Sequence, residues 1–441
     1  MTTTLAAEST RTWRSSPTAQ EVIDACLADE AQAVPPPSGK WDVGRMEVFN
    51  EDRWPDVFRQ MRAEAPINKV TGSLVGDYWN VSTHKAVQYV ESLPELYSSS
   101  WRHGGISIAE PPAGRDHNVS LPIFIAMDRP EHTPRRRTIA EAATPAEIAR
   151  LSGEIRASTG ALLDSMPVGE QFDWVSQVSV PLTTGMLATL FDFPRQDSHL
   201  LTFWSDWITA IEAVHMPDVT AGRLHASREM TEYFTRLWVE RKQTAAPGKD
   251  LLSMMIHSDA MGGMNQQEFM GTLMLLVTGG NDTTRNTMSG LIHALDRFPE
   301  ERARLEADPS LVATAVPETI RFVTPAIHMR RTATADTELF GQKIAKGDKL
   351  ILWYLSANFD ENQFDQPDRF KVDREDARRH LAFGYGIHRC VGARLAELQL
   401  RTLIEEMLAR RMRVHVTGKV VRGGGTFMHA LRKLEVTVER Y

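Results

Sequence analysis

Cys390 lies in the run Phe383-Gly384-Tyr385-Gly386-Ile387-His388-Arg389-Cys390-Val391-Gly392-Ala393-Arg394-Leu395-Ala396, a single cysteine in a glycine-rich loop directly before an amphipathic stretch. A cysteine acts on metals and electrophiles as its thiolate, which helix N-termini and nearby cations favour. Gly384, Gly386 and Gly392 allow the positive φ angles and close backbone approach of a tight loop that aims sulfur at a metal. Leu400, Leu403, Ile404, Met407 and Leu408 follow at three- and four-residue spacing, so a helix is predicted to begin just after the sulfur and to put its positive end there. Two plainer readings compete. Free cysteine is common in cores, and a zinc site would draw on His380, His388 and Cys390 but lacks further ligands and paired cysteine spacing.

A second constellation, Gly279-Gly280-Asn281-Asp282-Thr283-Thr284, interrupts an otherwise helical pattern. Asn265 with Glu268 three residues on is a capping signal, and Leu273, Leu276, Met288, Leu291, Ile292 and Leu295 continue the pattern to a stop at Pro299. Such a helix would run on the order of 50 Å. Two adjacent glycines cost roughly 1 kcal/mol each in a helix interior. Either the helix breaks there, with Asp282 and Thr283 as caps, or it opens locally and the acid and alcohol deliver protons. The third constellation is Glu318 and Arg321, an acid and a base three apart on one helix face, followed by Pro367-Asp368-Arg369-Phe370. Pro317, directly before the acid, is expected to kink or restart that helix.

The elements that must position these groups fit one large unit. The 441 residues show no interior linker, so residues 42–441 are expected to form a single domain behind a flexible segment 1–41 that contains Pro35-Pro36-Pro37. Helix should dominate, with strand-like pieces at Lys349 to Tyr354 and Leu434 to Val438 supplying minor sheets. A hydrophobic share of 42%, a charged share of 24% and a net charge of -7 describe a globular chain with no call for nucleic acid. With Cys26 and Cys390 as its only cysteines the chain has no disulfide framework and suits a reducing compartment. No uninterrupted apolar run reaches membrane-spanning length, and Met1 to Arg14 is too polar for a signal peptide, so a cytoplasmic protein without a transmembrane anchor is expected. No glycine-rich dinucleotide fingerprint follows a strand, so NADH or flavin is not expected to bind here.

The three constellations, in this order, resemble the cytochrome P-450 superfamily over roughly residues 42 to 441. The resemblance implies a mainly α fold with small β-sheets, a triangular prism-like domain, and a haem-thiolate monooxygenase of soluble bacterial type. On it, Cys390 is the ligand of haem b iron in the loop that Phe383 opens, and thiolate ligation favours O–O cleavage. His132 and Arg136, in Asp128-Arg129-Pro130-Glu131-His132-Thr133-Pro134-Arg135-Arg136, join Arg331 and His388 around the propionates, with Arg135, Arg137 and Arg330 as close neighbours. Gly279 and Gly280 give clearance over the haem, and Asp282 and Thr283 are the acid-alcohol pair of dioxygen activation. Glu318, Arg321 and Arg369 form a structural triad that braces the haem-loop side. Electrons would come from NAD(P)H through a separate ferredoxin and ferredoxin reductase, with Arg378, Arg379, Arg389 and Arg394 as a basic docking face.

The same correspondence lines the pocket with Ile106, Ile108, Leu121 to Phe124, Leu275, Leu276, Ala326, Ile327, Phe427 and Met428, apolar walls for a small apolar substrate. Phe124-Ile125-Ala126-Met127-Asp128, Gly279 through Asn286, and Phe383 to Gly386 with Ala393 through Arg401 are similar to the bacterial alkane and fatty-acid terminal hydroxylases. Hydroxylation of medium-chain alkanes or fatty acids at the end methyl is therefore expected, with a terpene or steroid as the alternative substrate. A haem-binding sensor, a third reading, would not need Asp282 and Thr283.

Overall fold

The longest element is the helix Gln266–Arg297, whose 32 residues cross about 48 Å. It starts on a reciprocal capping box, the Asn265 side chain accepting from the Glu268 amide and Glu268 accepting from the Asn265 amide, each at 3.0 Å. It ends at Phe298 before Pro299. The Gly279-Gly280 pair does not break it: the helix is continuous, and the glycines are tolerated because packing along both halves holds the backbone. Its N-terminal half, with Phe269, Leu273 and Val277, joins a core cluster containing Leu187, Leu201, Trp204 and Trp207. Its C-terminal half, with Met288, Leu291, Ile292 and Leu295, joins a second cluster containing Val316, Ile320, Leu400, Leu403 and Ile404. Gly290 makes the second junction tight, since a Cβ there would come 2.5 Å from the Val323 side chain.

The structure, a computed structural model, describes residues 18–28, 36–109, 121–210, 216–243, 248–423 and 425–441. Helix dominates among them, with small sheets, as expected. The largest sheet has five strands in the order Ile67–Val70, Tyr78–Val81, Lys349–Trp353, His328–Ala333, Tyr97–Ser98. Lys349–Trp353 is buried at every position, as a central strand covered on both faces should be. It pairs antiparallel with His328–Ala333, setting Arg331 opposite Leu350 and so fixing where that guanidinium starts.

Two expectations change. The helix Val312–Val323 runs through Pro317 without restarting, because the lost amide bond would have gone to Ala313 in the first turn and the segment is buried on both sides. Within the segment 1–41 expected to be flexible, Ala19–Ala28 is a helix against Pro217–Lys242 that buries Ile23 and Cys26 in the first cluster. Pro35 lies outside the described residues, while Pro36 and Pro37 are exposed. No helix among the described residues is long and apolar enough to cross a membrane.

Candidate active site

The helix Ala393–Ala409 begins two residues after Val391, with Gly392 as its N-cap. The Cys390 amide donates to the Phe383 carbonyl at 2.7 Å, closing the loop that carries the sulfur. Gly384 and Gly386 adopt positive φ, 67° and 65°, as the tight loop requires. Gly392 does not, with φ at -86°; its role is clearance, since a Cβ there would lie 4.0 Å from Cys390 Sγ. Gly386 cannot be replaced without strain, because a Cβ would come 2.4 Å from the Glu91 carbonyl oxygen.

Cys390 opens onto a cavity of about 670 Å³ that Thr283, Gly279, Phe383, His132, Arg136, Arg331 and His388 also line. Its sulfur meets the cavity but is otherwise enclosed, so burial raises the thiol pKa, while the Gly392 amide, Arg136, Arg389 and the Ala393 amide pull it down. A cation at the sulfur would shift that balance to the thiolate.

His132, Arg136, Arg331 and His388 all line this cavity. His132 and His388 lie with ring centroids 4.4 Å apart and their planes tilted by 60°. Neither nitrogen of His132 has a hydrogen-bond partner, nor has Nδ1 of His388; His388 Nε2 pairs with the Ser99 hydroxyl at 2.8 Å. Burial, followed by neighbouring cations, pushes His132 down to about 4 and His388 to about 2. Orphaned buried imidazole nitrogens beside two guanidinium groups are the environment an anion would satisfy, so these residues fit the carboxylates of a haem. Of the neighbouring arginines, Arg136 lines the cavity and donates to the Arg389 carbonyl, whereas Arg135 pairs with Glu268 and Arg137 is exposed. Arg330 also lines the cavity but donates to the His103 carbonyl at 3.1 Å.

On the opposite wall, Thr283 Oγ1 donates to the Gly279 carbonyl at 2.8 Å. A Cβ on Gly279 would meet nothing within 4 Å, whereas one on Gly280 would come 3.1 Å from Leu187, so the clearance belongs to Gly279. Asp282 turns away from the cavity. Its Oδ1 accepts from Arg285 at 2.7 Å, and Arg285 also donates to Asp206 at 2.9 Å. Ser205 and Thr209 lie close enough to ease Asp282 ionisation, yet its Oδ2 makes no hydrogen bond of good geometry. Burial raises the Asp282 pKa, Arg285 opposing and Asp206 reinforcing the rise. Sequence reasoning missed Arg285, and missed that the motif's two asparagines are anchors: Asn281 accepts from Thr183 at 2.7 Å and Asn286 accepts from the Leu431 amide at 2.8 Å.

The bracing cluster holds one correction. Glu318 and Arg321 are fully buried and form two hydrogen bonds of 2.7 and 2.8 Å. The second arginine at Glu318 is Arg374, with Nε 2.9 Å from Oε2. Arg369 instead directs its side chain outward to Glu300, both about half exposed, and gives the cluster only its backbone carbonyl. The Pro367-to-Phe370 turn points that side chain to solvent, and the sequence carries no mark separating it from Arg374.

Of the expected pocket walls, Ile106, Leu121, Ile123, Phe124, Leu275, Leu276, Ala326, Phe427 and Met428 line the cavity. Ile327 and Ile108 do not; both are fully buried in a separate cluster with Trp353 and Phe49. Ala326 bridges to Met428 and the Ile327 amide donates to the Phe427 carbonyl, so the chain is extended there and successive side chains face opposite ways. Arg378, Arg379, Arg389 and Arg394 are all exposed, and Arg378 lies 3.7 Å from Glu397.

The cytochrome P-450 family model matches residues 182–420. The solved structure of cytochrome P-450-153 from Novosphingobium aromaticivorans is 58% identical, with a TM-score of 0.86, covering 91% of this chain and all of that one (100%). The linalool 8-monooxygenase of Pseudomonas putida is 34% identical over 403 residues, 90% of this chain and 98% of that protein. The methyl-branched lipid omega-hydroxylase of Mycobacterium tuberculosis is 30% identical over 433 residues, 94% and 99% of the two chains.

Proposed function

The chain belongs to the cytochrome P-450 family and is a haem-dependent monooxygenase supplied with electrons from outside, and on that premise we propose that it hydroxylates the terminal methyl of a medium-chain alkane or fatty acid. The observation that carries the proposal is the single cavity in which Cys390 and Thr283 face a wall of Leu275, Leu276, Ala326 and Phe427. The likeness to an omega-hydroxylase across nearly the whole chain supports it.

Haem, when bound, supplies the reduction of dioxygen and the transfer of one oxygen atom to carbon. Cys390 Sγ would hold its iron, and His132, Arg136, Arg331 and His388 its propionates. Thr283 keeps its hydroxyl at the cavity through the Gly279 carbonyl. Asp282 Oδ2, unpartnered and in a carboxyl whose pKa burial raises, can hold a proton behind it. We assign the two as the ends of a proton route across the central helix. A primary C–H bond is stronger than its secondary neighbours, so selectivity for the chain end must come from positioning. The side chains of Leu275, Leu276, Ala326 and Phe427 are apolar and offer an alkyl chain no hydrogen bond. NAD(P)H, a ferredoxin and its reductase are the electron source we assign, with the four exposed arginines as docking face and the cytoplasm as the compartment.

Titration of the ferric holoprotein with linear alkanes, fatty acids, a terpene and a steroid, followed by the substrate-induced shift of the haem spectrum, tests this reading. Saturable shifts with dodecane or dodecanoic acid are expected. A response to the terpene or steroid alone would favour the second reading, which the likeness to the linalool enzyme supports.

A further inference from the structure

Glu91 is the last residue of the helix His84–Glu91 and is almost fully buried. Its Oε1 accepts from Arg331 Nη2 at 2.8 Å and from the Tyr354 hydroxyl at 2.5 Å. Its Oε2 accepts from the Tyr385 amide, inside the cysteine loop, at 2.8 Å. Its own carbonyl oxygen is the atom against which Gly386 must remain without a side chain. One residue thus touches the loop that carries Cys390 and, through Arg331 and Tyr354, the wall of the cavity.

Arg331 and the Tyr385 amide can only donate, while the Tyr354 hydroxyl could also accept; burial raises the Glu91 pKa, and Arg331, the Tyr354 hydroxyl and the Tyr385 amide lower it, so the guanidinium at 2.8 Å is what holds the carboxyl toward its ion. Arg331 is correspondingly not a bare cation. It shares its charge with Glu91, while Nη1 is tied to the Arg330 carbonyl at 2.8 Å. A buried negative charge at this place opposes the addition of an electron to a neighbouring cofactor, because interior charges are weakly screened.

We propose that Glu91 is a positioning residue of the haem site: it fixes Arg331 and the cysteine loop in register, and its charge poises the haem at a lower reduction potential than Arg331 alone would allow. This rests on the assignment of Arg331 to the propionate side of the haem. The thiolate spectrum and haem content of the wild-type protein test that assignment separately, and they stand whatever the variants do.

The experiment is a reductive titration of the holoprotein for wild type, Glu91→Gln and Tyr354→Phe. Glu91→Gln removes the charge and should favour the ferrous state roughly tenfold, about 59 mV upward for a one-electron couple. Tyr354→Phe keeps the charge but removes one donor that offsets it, so its potential should move the other way by a smaller amount. A purely structural role would loosen haem binding or lower stability without this pair of opposite shifts. A potential in Glu91→Gln that is unmoved or lower overturns the proposal. If Glu91→Gln does not fold, Tyr354→Phe decides: a downward shift upholds the proposal, and an unchanged or raised potential overturns it.

Discussion

Replacing Arg374 by Met should destabilise the protein several times more than replacing Arg369 by Met, although Arg369 stands in the expected sequence motif. Arg374 is buried, donates to the carbonyls of Asp365, Gln366 and Arg369 at 2.7, 3.0 and 2.8 Å, and lies 2.9 Å from the buried carboxylate of Glu318. Removing one partner of a buried, hydrogen-bonded ion pair costs about 3 to 5 kcal/mol, and the loss here is of that size. Glu318 keeps its two bonds to Arg321, which limits the damage. Arg369 pairs with Glu300 at 2.6 Å at the surface, where such a pair contributes about 1 kcal/mol or less. Unfolding entropy of about 2.1 cal/mol/K per residue over 441 residues gives close to 0.9 kcal/mol per degree. Thermal melts of the holoproteins should therefore fall by about 3 to 5 °C for Arg374→Met and by about 1 °C or less for Arg369→Met. An Arg369 variant as damaged as the Arg374 variant would refute the reasoning.

Cys390→Ala should abolish the red-shifted band that the reduced carbon monoxide complex of a thiolate-ligated haem gives, a band wild type must show; its persistence in the variant would remove Cys390 as ligand. Thr283→Ala should bind substrate normally but divert reducing equivalents to hydrogen peroxide, and Asp282→Asn should slow turnover roughly 10²-fold or more; unchanged rate and coupling in both would take the pair out of the reaction. His328 is fully buried with its pKa pushed from 6.5 to about 4, one nitrogen facing the Thr426 carbonyl at 2.8 Å and the other the Ile108 amide at 3.1 Å. Below pH 6.5 the unfolded chain takes a proton here that the folded one refuses. Its contribution is therefore fully present above that pH and falls toward pH 4, by about 2 kcal/mol at about pH 5. Denaturant unfolding of wild type and His328→Gln across this range should show the slope reduced in the variant; equal slopes would contradict the assignment.

The parts of the site that were legible in the sequence are those where local chemistry dictates the answer. Asn265 and Glu268 announce a helix start because their bonds are made within four residues, and Gly384 and Gly386 announce a tight loop because their backbone angles exclude other residues. The illegible parts depend on distant partners. Arg369 and Arg374 are chemically alike, and only packing against Glu318 separates them. Ile327 and Ala326 are equally apolar neighbours, and the phase of an extended segment decides which one meets the cavity. Glu91 carries no local signal, since its three donors lie 240, 263 and 294 positions away along the chain. Asp282 and Thr283 were legible as a pair, whereas their division between the back of the helix and the cavity face follows from Arg285 and Asp206.

The most direct test of the central claim is turnover of dodecane and dodecanoic acid by the protein with a ferredoxin, its reductase and NAD(P)H under isotopically labelled dioxygen. Mass spectrometry then locates the label in the product. The account predicts one labelled oxygen atom per product molecule, carried mainly on the terminal carbon. Label found chiefly on internal carbons, or no product from either chain while a terpene or steroid is oxidised, would contradict it.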